Sequence, residues 1–259
     1  QTGGTLSGAG VLTVTGAASY GGGGSKSQTG TGSTIHNGAV TLGSGSINLD
    51  GGRLLEFKGG VTTDSSNFTI YLNSGALAGT DTLRNAAGST FLDQTSSYGQ
   101  IIANSNTGLF ENLGTYRKTG AGTTYVQTSF TNAGTVDIDA GTLNLSGDST
   151  LSGTIDLASG AVLHFSGGTH SLNGPSLTGA AGGLLRVSSG TITVTGAVNL
   201  PTVQVQSGTL NATDAGAKLE ALILNGGTFN FGGTDSILGF TQTGGTLSGA
   251  GVLTVTGAA

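Results

Sequence analysis

The sequence predicts an all-β chain wound into a right-handed parallel β-helix, a β-solenoid with about 18–20 residues per coil. Three features point there. A Gly-Thr-apolar tripeptide recurs at near-constant spacing. Short runs alternate apolar and polar residues, as in Val136-Asp137-Ile138, Leu143-Asn144-Leu145 and Val203-Gln204-Val205. Glycine, Asn-Gly and Ser-Gly punctuate those runs, and no stretch carries an amphipathic 3.6-residue period.

The tripeptide runs from Gly114-Thr115-Tyr116 to Gly245-Thr246-Leu247. Its steps are about 18–20 residues, with one double step of about 37, whose missing member is assigned to Ser171-Leu172-Asn173. Runs this short cannot bury a face alone. Stacked in parallel, each pairs with its equivalent one coil away at ~4.8 Å. The expected inward column is Tyr116, Val136, Ile155, Leu172, Ile192, Leu210, Phe229 and Leu247. Uneven coil length favours the right-handed form over the strict hexapeptide rhythm of left-handed helices. Residues 20–108 read as less regular coils with loops, and Gly21–Ser27 as a flexible loop.

A larger repeat encloses these coils. Gln1–Ala18 reads QTGGTLSGAGVLTVTGAA, and Gln242–Ala259 reads the same. We expect one continuous solenoid over residues 1–259, made of one tandem repeat of roughly 241 residues, about 13 coils, plus the first 18 residues of the next. Gln1–Ala18 is neutral and Thr/Gly-rich, unlike a signal peptide, so the chain reads as a piece of something longer.

Composition removes several functional classes. No Cys is present, which excludes disulfides, thiolate metal sites and a Cys nucleophile. A net charge of -5 with 8% charged residues offers no basic stripe for nucleic acid. No apolar run approaches the ~18 residues that cross a bilayer. The 51 Gly residues do not fall at every third position, which excludes collagen.

The expected outward column is Arg117, Asp137, Asp156, Asn173, Thr193, Asn211, Asn230 and Ser248. Asp137 and Asp156 would then be vertical neighbours, with Asp139 close by. Such carboxylates suit a retaining glycosidase, a Ca²⁺ ion, or a solvated face partly balanced by Arg117. A straight strand column lacks the concave pocket and shifted acid that catalysis needs. We therefore expect no catalytic site and no cofactor, with Asp137, Asp139 and Asp156 the only calcium candidates. His36, His164 and His170 read as surface or turn residues. No HExxH spacing, calcium nonapeptide, P-loop or GxSxG elbow occurs. The sequons at Asn67, Asn144 and Asn211 are expected by chance. Thr pairs such as Thr13-Val14-Thr15 and Thr193-Val194-Thr195 suggest an ice-binding face, but the charges in the expected column would interrupt it.

The stretch Glu111–Pro175, above all FTNAGTVDIDAGTLNLSG and LHFSGGTHSL, resembles the β-strand repeats of giant bacterial surface adhesins, the filamentous-haemagglutinin-like and autotransporter-type proteins. The resemblance covers residues 108–259 well and the first hundred weakly. It implies a secreted, non-enzymatic β-helix at the bacterial cell surface, serving adhesion, cell–cell contact or biofilm. Its expected partners are further copies of the same repeat, in one chain or head to tail, with glycans or neighbouring fibres as further candidates. No nucleic acid and no membrane span are expected. The competing classes are a polysaccharide-active β-helix enzyme and an ice- or glycan-binding module gripping its ligand through Gly21–Ser33 or Asp93–Gln100.

Overall fold

The computed structural model describes residues 1–64, 67–75, 77–104, 107–174, 177–195, 199–212 and 218–257, without the side chains of 200 and 201. Residues 258–259 of the repeated segment and Thr213 of the third sequon lie outside them. The described residues form 31 strands and no helix. They make a parallel β-solenoid of about eleven turns, averaging about 21 residues each. The turns are fewer than the spacing predicts because several coils in the first half are longer. The chain divides into two compact units, Gln1–Thr135 and Val136–Ala259.

In the first unit each coil has three sides. The opening coil runs through Gly4–Ser7, Val11–Val14 and Ala18–Tyr20. The next coil places Lys26–Thr29, Ser33–His36 and Val40–Leu42 beside them, all parallel. The register pairs Gly4 with Lys26, but Phe68 with Gly99, so coils lengthen in the irregular region. Alternation sends one residue in two inward. The three inward columns are Ile47–Ile70–Ile101–Val126, Leu55–Leu83–Phe110–Phe130 and Val61–Phe91–Tyr116. All these residues are buried. Burying each contributes about 1.5–3 kcal/mol. Rings join two of the sides: Phe91 lies 6.0 Å from Phe110 and 5.4 Å from Tyr116.

In the second unit, inward columns run Leu143–Leu163–Leu185–Val203–Leu222 and Leu145–Phe165–Val187–Val205–Leu224. From Thr191 onward the coil step is about 18–19 residues, with Thr191, Thr209, Thr228 and Thr246 in register. The glycine before each of these threonines turns the corner. Gly190, Gly208, Gly227 and Gly245 have φ of 81, 77, 65 and 72°, the left-handed region. A Cβ on Gly208 would also lie 2.6 Å from the Gly190 carbonyl oxygen. Two constraints thus fix glycine at these four corners, whereas at Gly114 and Gly134, which lack the left-handed angle, the close backbone alone excludes a Cβ.

Several expectations change. The single inward column is two columns on different sides of the coil. Tyr116 stacks on Phe91, and Ile155 on Leu177. Ile192, Leu210, Phe229 and Leu247 form the other, as expected. Its preceding member is His170, in Gly168-Thr169-His170, and not Leu172, which pairs with Val194. His36 and His170 are buried, not superficial. Lys26 and Ser27 belong to a strand, with Lys26 buried and its Nζ donating to the Ser44 carbonyl.

Candidate functional site

Three outer faces, two cavities and three interior polar clusters hold the side chains with chemical potential. On the outer face of the second unit, Thr193, Asn211, Asn230 and Ser248 align one per coil. Asn230 Nδ2 donates to Asn211 Oδ1 at 2.6 Å, and the Ser248 hydroxyl donates to Asn230 Oδ1. Two residues earlier on each strand stand Thr191, Thr209, Thr228 and Thr246, with Thr169 one coil before Thr191. This face offers small uncharged groups at coil spacing. On an adjoining strand face of the same unit, Asn144 Nδ2 bonds His164 Nδ1 at 3.1 Å, and His164 Nε2 bonds Ser188 Oγ at 2.7 Å. Arg186 Nε donates to Gln204, which donates to Asn225 at 3.0 Å, which donates to Thr243 at 3.0 Å.

The expected charged members are elsewhere. Arg117 pairs in register with Leu92, and Asp156 with Thr178, whose hydroxyl donates to Asp156 Oδ1 at 2.8 Å. Arg117 and Asp156 therefore do not interrupt the Thr and Asn columns. Among the described residues no group of three or more His, Asp or Glu is arranged to hold a metal ion.

The first unit carries an outward charged ladder. Arg84 lies in register between Glu56 and Glu111. Its Nε donates to Glu111 at 2.5 Å, and Nη1 sits 3.7 Å from Glu56. The bond to Glu111 holds the guanidinium above its ordinary pKa. A shallow polar hollow of about 460 Å³ is lined by Ser25, Ser46, Asn48, Asn67, Thr69 and Tyr71. A more enclosed cavity of about 510 Å³, bounded by Leu6, Leu12, Val14, Tyr20 and His36, opens beside the first coil.

Within the first unit lie polar clusters that periodicity does not reveal. Asn85, Asn112 and Asn132 stack in register. Each amide donates to the next Oδ1 at 2.7 Å, and Asn112 Nδ2 also reaches the Thr135 carbonyl at 2.8 Å. The readable signal was Asn-Xaa-Gly-Thr at 112–115 and 132–135. A second cluster links Tyr20 OH to His36 Nε2 at 2.8 Å, Gln28 Nε2 to Tyr20 OH at 3.0 Å, and Arg53 Nη2 through Thr34 to Gln28. Burial pushes the Tyr20 phenol up to about 12, against the opposing pull of the Gln28 bond and the Arg53 charge. The third gathers Asp93, Tyr116, Lys118 and Thr124. Burial, reinforced by the Asp93 charge, drives Tyr116 well above its ordinary pKa.

No family model, curated protein or solved structure matches this chain.

Proposed function

We propose that the chain is a structural, non-enzymatic segment of a secreted bacterial cell-surface fibre or adhesin, assembled from tandem solenoid repeats. Its role is mechanical, with adhesion or cell–cell contact made through the outer polar columns. The observation that carries this reading concerns the repeated 18-residue segment. At its first occurrence it forms Gly4–Ser7 and Val11–Val14, paired forward to Lys26–Thr29 and Ser33–His36. At its second it forms Thr246–Gly249 and Val252–Val255, paired back to Thr228–Phe231 and Thr234–Ile237. Equivalent glycines keep left-handed angles at both: Gly4 at 82° and Gly245 at 72°, Gly8 at 117° and Gly249 at 138°. One coil sequence thus accepts a neighbour on either edge. In consecutive copies it would serve as the shared layer, and stability would grow roughly as a sum over coils. The outward Thr, Asn and Ser groups suit glycans or neighbouring fibres as partners.

Immunolabelling of intact cells with antibody against this chain tests the reading. Surface labelling, with loss of attachment when the gene is deleted, is expected. Labelling only after lysis overturns it.

A further inference from the structure

We propose that Asp93 and Lys118 condense into an intramolecular isopeptide bond that ties two consecutive coils of the first unit together. The strands Thr90–Asp93 and Thr115–Lys118 pair in register, so the two residues stand opposite one another across the coil. Both side chains are 0% exposed, and Lys118 Nζ lies 3.6 Å from Asp93 Oδ2. The carboxyl group is held from both oxygens. Oδ1 accepts the Thr95 backbone N–H at 3.0 Å. Oδ2 accepts Tyr116 OH at 2.6 Å and the Thr124 hydroxyl. Thr124 Oγ1 in turn accepts from Lys118 Nζ at 3.3 Å, so one hydroxyl bridges ammonium and carboxylate. Aromatic rings wall the site, with Tyr116 5.4 Å from Phe91 and 6.0 Å from Phe110.

The chemistry balances without a co-reactant. Thr124 relays a proton from the ammonium to Oδ2, leaving an amine and a carboxylic acid. The Nζ lone pair attacks Cγ, and the charge that develops on Oδ1 meets the Thr95 N–H. The Nζ–Cγ bond forms and the Cγ–Oδ2 bond breaks. Oδ2 leaves as water, carrying the relayed proton and one from the amine, while Tyr116 OH donates to it. The products are one amide and one water, with no change of oxidation state. Burial favours the step, because two ions that are costly to keep dehydrated become one neutral group. Burial also lowers the Lys118 pKa, against the opposing pull of Asp93, and so favours the nucleophilic amine. This bond is independent of the fibre reading and stands or falls without it.

Intact-mass spectrometry of the purified, denatured full chain decides the matter. The expected mass is one water below that of the sequence, and digestion yields a branched peptide joining the segments around Asp93 and Lys118. The Lys118→Arg chain is expected at full sequence mass. Tyr116→Phe and Thr124→Val are expected to slow the loss of water. A wild-type chain that stays at sequence mass after prolonged incubation at neutral pH overturns the proposal. So does a water loss mapped to any other residue. Both results come from the wild-type chain, so they hold even if a variant fails to fold.

Discussion

His170 occupies the inward position one coil before Ile192, an imidazole where every later coil places an apolar side chain. It is accommodated by two bonds. Ser149 Oγ meets Nδ1 at 2.8 Å, and the Gly167 carbonyl meets Nε2 at 2.5 Å. Phe165 packs 4.5 Å from the ring.

This burial makes the fold sensitive to acid. Burial holds His170, His36 and His164 below the ordinary histidine pKa. The unfolded chain takes up protons near pH ~6.5, while the folded chain resists until lower pH. The unfolded state therefore binds more protons as pH falls, and stability present above that range is lost below it. Urea midpoints should drop between pH 7.5 and pH 5.5. His170→Leu should remove part of that slope, and an unchanged slope would show that His170 does not contribute.

Gly208→Ala should cost roughly 1–3 kcal/mol from the left-handed corner alone, with more from the close Gly190 carbonyl. Thermal melts followed by circular dichroism measure this. A melting temperature equal to that of the wild type would refute the account of the corner.

Asn112→Ala should destabilise the chain by about 1–3 kcal/mol, because it removes the acceptor of the Asn85 amide and the donor to Asn132 Oδ1. Asn85 Nδ2 keeps its bond to the Thr115 carbonyl at 3.0 Å, so the loss falls mainly on the Asn132 side. A denaturant midpoint equal to that of the wild type would argue against the ladder.

Calcium should leave the melting temperature unchanged, because among the described residues no three His, Asp or Glu side chains gather as a metal site would need. A rise that disappears in Asp156→Asn would restore a cation to that face.

The fold was legible because backbone geometry writes itself into the sequence. Gly190, Gly208, Gly227 and Gly245 take left-handed angles, the position after each is Thr, and the pair marks one coil each time. Column assignment was less legible, because Gly-Thr marks corners on two sides of the coil. Tyr116 and Ile192 share a motif but not a column. His170 departs from the expected column because its side chain breaks the apolar rule that its own Gly-Thr prefix obeys. Lys118 and Asp93 were invisible as a pair. Alternation predicts which way they point, but nothing local reveals that a lysine facing inward meets a carboxylate from the preceding coil.

The corner glycines divide the labour of variation. Positions where a Cβ would strike the neighbouring backbone, such as Gly208, are frozen, whereas Thr193, Asn211, Asn230 and Ser248 on the outer face keep part of their surface in solvent. Drift on the exterior can therefore retune what the surface touches while the winding beneath stays the same.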